Sequence, residues 1–121
     1  LLNAAELILR TGGDVSKAQG YYNEVRNRAH ASARTVSLDN LLEERRLEFV
    51  GEGKRYYDLI RFGKAAEVLK PGGGKVLNKA KTAYDVIGVP ERIQWTESKK
   101  YLPIPQDEIE AAKGTLKQNE Y

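Results

Sequence analysis

Apolar residues recur at every third or fourth position through the first half of the chain, which is the spacing of one face of a helix. Helices are therefore expected over residues 1–11 and 15–29. Gly12-Gly13 separates them, because glycine accepts the left-handed conformation that often ends a helix. Asp14 or Ser16 is expected to cap the second helix. The predicted inner faces are Leu1, Ala4, Ala5, Ile8 and Leu9 in the first helix, and Val15, Ala18, Tyr22, Val25 and Ala29 in the second.

The same periodicity predicts two further helices before residue 63. One is capped by Ser37 or Asp39 and runs to about Val50, and a shorter one runs from Lys54 to Phe62. Gly63 ends the short helix, and residues 65–69 are expected to extend it by a turn. The inner stripe of the longer helix is predicted to contain Leu38, Leu41, Leu42, Arg45 and Phe49.

Periodicity is lost after the run Pro71-Gly72-Gly73-Gly74. The stretch Gly72–Lys99 is predicted to be irregular, and a final helix is expected from Pro105 to Gly114. The predicted fold class is mainly α, with helical hairpins followed by a long irregular C-terminal loop region. We expect a single domain over residues 1–121, composed of a helix pair (1–30), two further helices (37–70), and a loop plus C-terminal helix (71–121).

The first helix pair resembles one tetratricopeptide repeat. The turn Gly13-Asp14, the small Ala18 and the aromatic Tyr22 occur in the order that such repeats use. Repeats normally need about three neighbours to bury their faces. We therefore expect this pair to pack on repeats outside the chain, and an ordinary helical hairpin remains the alternative.

Composition narrows the possible chemistry. The 121 residues are 40% hydrophobic and 31% charged, with no cysteine and one histidine, so thiol catalysis and multi-histidine metal sites are excluded. We expect no cofactor and no metal. The net charge of +3 suggests nucleic acid as a possible partner. Charges of both signs alternate along the chain, however, so nucleic-acid binding is not expected. The chain starts within a helix and without methionine, so we expect a fragment whose targeting signals lie upstream.

The densest charge lies between Glu43 and Arg61. Its carboxylates, namely Glu44, Glu48, Glu52 and Asp58, raise the possibility of glycoside hydrolysis. Arg45, Arg46, Arg55 and Arg61 are interleaved with them. Arginine lowers the pKa of a neighbouring carboxyl group, whereas a general acid needs a raised pKa. We therefore predict a structural ion-pair network with no catalytic residue, including helically spaced pairs Arg45–Glu48 and Asp58–Arg61.

Aromatic residues offer a possible sugar-binding surface, since pyranose rings stack on aromatic rings. Trp95 is the only tryptophan, and Gln94, Glu97 and Tyr84 lie near it in the predicted irregular stretch. Trp95 is the first candidate ligand-binding residue and Tyr84 the second. The alternative is that Trp95 anchors the loop to the helical body.

Several motifs in order resemble the C-terminal region of the RagB/SusD family, and the resemblance covers nearly the whole chain. The chain departs from the family near its end, where the usual Pro-Gly is replaced by Glu120 alone. The matching elements are Ala5-Glu6, Leu9-Arg10, Asn23–Ala29, Glu44-Arg45, Glu48-Phe49, Gly51-Glu52-Gly53, Arg55, Asp58–Arg61, Pro103-Ile104-Pro105, Glu108-Ile109, Gln118-Asn119 and Tyr121.

The resemblance implies a largely α-helical, non-catalytic protein. Members of the family bind oligosaccharides or other nutrients at the cell surface and deliver them to a SusC-like TonB-dependent transporter. They are tethered to the outer membrane by an N-terminal lipidated cysteine, which this chain does not contain. Two other classes remain open, a tetratricopeptide-like protein-interaction module and a carbohydrate-active enzyme.

Overall fold

The computed structural model describes residues 1–70, 72–89 and 95–120. Close contacts divide the chain into two compact units, Leu1–Gly63 and Lys64–Tyr121. Helices dominate the described residues, so the predicted mainly α fold class is confirmed. The elements are α1 (Leu2–Thr11), α2 (Val15–Arg28), α3 (Leu38–Glu48), α4 (Arg55–Arg61), α5 (Ala65–Val68), β1 (Gly72–Leu77), β2 (Tyr84–Val89), a 3-10 turn (Glu97–Lys100) and α6 (Gln106–Ala111).

The turn between α1 and α2 contains residues whose chemistry suits its conformation. Gly12 ends α1 with a φ of 68°, a conformation that costs glycine little because it has no Cβ. Asp14 caps α2 by accepting hydrogen bonds from the backbone N–H groups of Ser16 and Lys17, at 2.9 and 3.3 Å. This side chain therefore satisfies donors that the first turn of a helix leaves unpaired.

A single hydrophobic core fills the first unit. Ala5 and Ala18 are fully buried, and their small side chains let α1 and α2 approach closely. Burying a side chain such as that of Leu41 stabilises the fold by about 1.5–3 kcal/mol. Val15 was predicted to face inward but is exposed, because packing between α1 and α2 begins one turn later, at Ala18. The buried members are Leu2, Ala5, Ala18, Tyr22, Val25, Val36 and Leu41.

Helices α3 and α4 begin close to their predicted starts. The Ser37 hydroxyl accepts a hydrogen bond from the backbone N–H of Asn40 at 3.1 Å. Helix α3 ends at Glu48, two residues before the predicted boundary. The residues expected to extend α4 form a separate helix, α5. Gly63 adopts a φ of 68°, which ends the helical conformation between α4 and α5.

The prediction of an irregular stretch over residues 72–99 is wrong for its first part. Strands β1 and β2 pair as an antiparallel hairpin with Gly72 opposite Val89 and Leu77 opposite Tyr84. The run of glycines concealed β1, because glycine is depleted in strands and has no side chain to show a two-residue alternation. Pro71 and residues 90–94, which belonged to the same predicted break and loop, lie outside the described residues.

The C-terminal segment is held by side chains as well as by helix α6. The Gln118 amide pairs with the backbone of Ile104 in both directions, donating to its carbonyl at 2.9 Å and accepting from its N–H at 2.9 Å. Asn119 donates to the carbonyl of Leu102 at 2.9 Å. Helix α6 ends at Ala111, three residues before the predicted Gly114. Among the described residues, no helix combines the length and hydrophobicity needed to cross a membrane.

Candidate functional site

The motif charges form a buried network centred on Arg45 and Asp58. Arg45 in α3 donates to Asp58 in α4 through Nε at 2.9 Å and Nη2 at 3.0 Å. Its third nitrogen, Nη1, donates to the Asn3 side chain at 2.5 Å. The planar guanidinium suits this two-bond geometry, which lysine cannot reproduce.

A second carboxylate extends the network to α1. Arg61 donates to Glu6 through Nε at 2.8 Å and Nη2 at 3.0 Å. The same Nη2 lies 2.7 Å from Asp58 Oδ1, which confirms the predicted Asp58–Arg61 pair. Arg10 donates to Glu6 from the following turn of α1 at 2.9 Å. Helices α1, α3 and α4 are thus joined by alternating charges.

Two buried carboxyl groups of the network, those of Glu6 and Asp58, are held in the ionised form. Burial alone would raise the pKa of Glu6, but hydrogen bonds from Arg61 and Arg10 outweigh it and bring the pKa below its usual value. Burial likewise opposes ionisation of Asp58, and hydrogen bonds from Arg45 and Arg61 again lower the pKa. These are the opposite shifts from those that a general acid requires.

The other motif carboxylates also have arginine or lysine partners. Glu44 accepts from Arg26 at 2.5 Å. The predicted pair of Arg45 with Glu48 is wrong, because Arg45 turns toward Asp58 and Glu48 pairs with Arg28 of α2. Glu52 lies 2.8 Å from Lys54.

Arg55 makes weaker contacts than Arg45. It donates to the backbone carbonyl of Leu42 at 3.2 Å, and its Nη2 lies 3.9 Å from Glu43. These contacts are consistent with the predicted structural role of Arg55, which stays a prediction because its side chain is partly exposed.

An open cleft of about 420 Å³ lies over the network. Its charged lining groups already bind one another, so few donors or acceptors are left for a ligand. Among the described residues, no three histidine, aspartate or glutamate side chains meet as a metal site. The cleft is lined by Asn3, Glu6, Leu7, Arg10, Arg45 and Arg61.

The two predicted sugar-binding residues lie in different environments. Tyr84 opens β2 and is 67% exposed, whereas Trp95 is 8% exposed. The buried Nε1 of Trp95 has no hydrogen-bond acceptor among the described residues. No ring contact joins the two side chains in that part of the chain. The predicted neighbour Gln94 lies outside it, and Glu97 pairs with Lys100.

The hairpin places other side chains beside Tyr84 that the sequence analysis did not select. Leu77 is directly opposite Tyr84, and Val86 is two residues further along the same strand. The aromatic Tyr84 and the β-branched Val86 and Ile87 were a signal for this strand. It was missed because the partner strand contains three glycines.

Comparisons with known proteins identify related structures. The chain is 52% identical to surface glycan-binding protein A from Bacteroides thetaiotaomicron, with a TM-score of 0.75 over 99% of this chain and 22% of that protein. It is 32% identical to a SusD-like protein from Bacteroides fragilis NCTC 9343, with a TM-score of 0.78 over 98% of this chain and 23% of that protein.

A curated relative and a family profile agree with these structures. Starch-binding protein SusD of Bacteroides thetaiotaomicron is 45% identical over 64 residues, which are 51% of this chain and 11% of that protein. The chain thus spans less than a quarter of the length of each of these relatives. The profile described as the SusD family matches residues 1–121. The chain therefore belongs to the SusD family.

Proposed function

We propose that the full-length protein containing this chain binds an oligosaccharide at the bacterial cell surface and passes it to a SusC-like TonB-dependent transporter in the outer membrane. The observation that carries this proposal is the 52% identity, over 99% of the chain, to a protein named for surface glycan binding. The match to a starch-binding protein supports the same ligand class. A lipid anchor upstream of this chain would hold the protein at the membrane.

The proposed binding is non-catalytic. A glycosidase needs one carboxylic acid with a raised pKa beside a second carboxylate. Here Glu6 and Asp58 have lowered pKa values and are bonded to arginines, while Glu44, Glu48 and Glu52 are paired with cations. Incubation with the oligosaccharide that it binds should release no new reducing ends. Release that Glu48→Gln or Glu52→Gln abolished would overturn this part of the proposal.

Tyr84 is the residue of this chain that we place against the sugar. Its exposed ring can bury the apolar face of a pyranose, and about 100 Å² of contact is worth roughly 2.5 kcal/mol. Trp95, the first candidate from the sequence, becomes the second because its side chain is only 8% exposed. Its Nε1 is buried and lacks an acceptor among the described residues, so a sugar hydroxyl would reach it only after the side chain moved toward solvent. Leaving such a donor unpaired costs about 1–3 kcal/mol.

The test is calorimetric titration of the full-length protein against a panel of neutral and acidic oligosaccharides. Tyr84→Ala should weaken binding by roughly 10- to 100-fold, given the area that the ring buries. Tyr101→Ala is the matched control, because Tyr101 is 66% exposed and should leave the affinity unchanged. Binding that neither Tyr84→Ala nor Trp95→Ala altered would leave these 121 residues as scaffold.

A further inference from the structure

The β-hairpin carries an amphipathic face beside Tyr84. In an antiparallel pair, residues directly opposite each other project to the same side of the sheet. Tyr84 is opposite Leu77, and Val86 is opposite Lys75. We call these four residues the hairpin face. All four side chains are exposed, including 71% of Val86.

Beyond Lys75 and Val86 the hairpin face continues as bare backbone. The next pair on that side of the sheet is Gly73 opposite Gly88. Neither residue has a Cβ, so neither adds a side chain to the hairpin face.

The turn that joins the strands is fixed by its own hydrogen bonds. The Asn78 N–H donates to Ala83 at 2.9 Å, and the Asn78 carbonyl accepts from Lys81 at 2.9 Å. The Asn78 side chain also accepts from the Thr82 N–H at 3.1 Å. Lys81 adopts a φ of 57° within this turn. The bonded turn fixes the backbone from which Lys79 and Lys81 project.

Three lysines of the hairpin have no acidic partner among the described residues. Lys75, Lys79 and Lys81 are all exposed. The single acidic residue of the hairpin, Asp85, is opposite Val76 and belongs to the other side of the sheet. In the first unit, by contrast, the guanidinium groups of Arg45 and Arg61 are paired with Asp58 and Glu6. The hairpin therefore has exposed positive charge available for a ligand.

We propose that the hairpin face binds an acidic glycan, whose sugar ring stacks on Tyr84 while its carboxylate or sulfate groups meet Lys75 and Lys81. This inference rests on the proposed function, because it names the class of oligosaccharide. A neutral glycan would gain the aromatic contact but would leave the lysine charges without an anionic partner. An acidic glycan complements the apolar side chains and Lys75 on the hairpin face, together with Lys81 in the adjoining turn.

The experiment compares matched ligands on the full-length protein. An oligogalacturonide and its methyl ester have the same backbone, but the ester has no charge. A chondroitin sulfate oligosaccharide and its desulfated form distinguish sulfate from carboxylate as the recognised group. Maltohexaose serves as the neutral probe. At least one acidic ligand should bind more tightly than its less charged partner, and added salt should weaken that binding, because exposed charges are screened.

Variants assign the effect to the hairpin. The double variant Lys75→Gln, Lys81→Gln should weaken binding of the acidic ligand by about 2- to 30-fold, the range expected for two exposed ion pairs. The control is Lys113→Gln, Lys117→Gln, which removes the same charge from exposed positions in the C-terminal segment. That control should retain the parental affinity.

The outcomes separate this inference from the proposed function. Equal binding of the charged and uncharged partners, or binding of maltohexaose alone, overturns the acidic-glycan inference and leaves oligosaccharide binding intact. If the protein binds none of these glycans, both the acidic-glycan inference and the proposed oligosaccharide binding are overturned. The last outcome is that no acidic glycan binds, but the protein binds vesicles containing anionic lipid in a salt-sensitive way. If the Lys75→Gln, Lys81→Gln variant loses that vesicle binding, the inference is overturned in favour of a membrane surface.

Discussion

Arg45 and Asp58 lie 13 residues apart in the chain and form a buried ion pair through two hydrogen bonds, at 2.9 and 3.0 Å. Their side chains are 5% and 3% exposed. Because both side chains are almost wholly excluded from water, their charges are stabilised mainly by each other, with further hydrogen bonds from Arg45 to Asn3 and from Arg61 to Asp58. The pair therefore fixes α4 against α3 more strictly than apolar packing alone would.

The first prediction is that Arg45→Ala destabilises the protein by about 3–5 kcal/mol, because it leaves Asp58 ionised and buried without its main partner. Chemical denaturation followed by circular dichroism measures this loss. Arg46→Ala is the matched control. Arg46 is exposed and lies 3.6 Å from Glu43, so its removal should cost only about 0–1 kcal/mol.

Arg55→Ala should fall between these two variants. Its guanidinium has one backbone carbonyl and one distant carboxylate as partners, and its side chain is 32% exposed. If Arg55→Ala lost as much folding stability as Arg45→Ala, burial of the side chain would not determine how much stability each arginine contributes. A variant that melted like the parent but lost ligand binding would replace the structural role of Arg55 with a functional one.

The second prediction concerns acid stability. The pKa values of Glu6 and Asp58 are lower in the folded protein than their ordinary values near 4, so the folded state favours their ionised forms. The resulting stabilisation is fully present above about pH 4 to 5 and is lost as pH falls through the lowered folded pKa values. The melting temperature should therefore fall steeply below about pH 4.

Substitution identifies the groups responsible for this loss. Glu6→Gln and Asp58→Asn should each lower stability at pH 7 and make its decline in acid shallower. Glu24→Gln is the control, because Glu24 is exposed and makes no ion pair among the described residues. If Glu6→Gln and Asp58→Asn showed the parental pH profile, the acid sensitivity would have to arise from other carboxylates.

Local signals in the sequence predicted the helix caps and turns of the first unit. Gly12, Asp14 and Ser37 adopt the cap positions that their chemistry favours. The partner of Glu48 could not be predicted in this way, because Arg28 belongs to a different helix and helical spacing relates only residues of one helix. The sequence therefore predicted that the charged residues form ion pairs. It did not predict the most buried pair, Arg45 with Asp58, because that pair depends on tertiary structure.

The second unit was harder to predict because backbone rather than side chains defines part of it. Gly72 and Gly74 form strand β1 through pairing with β2, and glycine shows no preference for that conformation. Family resemblance suggested sugar binding but could not show that Tyr84 is exposed and Trp95 buried. Exposure depends on tertiary packing, which the local sequence around an isolated aromatic residue does not reveal.

The third prediction concerns the environment of Trp95, the only tryptophan of the chain. Its fluorescence should be blue-shifted relative to free tryptophan and poorly quenched by acrylamide, because the ring is 8% exposed. Trp95→Phe should cost less stability than Trp95→Ala, since phenylalanine retains much of the ring and removes the Nε1 donor that lacks an acceptor among the described residues. Emission at the position of free tryptophan would contradict the buried environment.

The last prediction concerns Gln118 and the segment Pro103-Ile104-Pro105. Proline has no N–H, so Ile104 supplies the one backbone donor of this segment. Gln118 accepts that hydrogen bond and donates to the Ile104 carbonyl, and so it substitutes for a paired strand. Gln118→Ala should speed hydrogen exchange at the Ile104 amide, because each lost hydrogen bond removes about 0.5–1.5 kcal/mol of local stabilisation.

Two further variants make that exchange measurement specific. Gln118→Glu keeps an acceptor for the Ile104 N–H but loses the donor to its carbonyl, so its exchange rate should lie between those of the parent and Gln118→Ala. Gln106→Ala is the control, because Gln106 bonds to Glu110 within α6 and should leave the Ile104 amide unchanged. Exchange at Ile104 that Gln118→Ala did not accelerate would show that the chain geometry around the two prolines holds this segment without the glutamine.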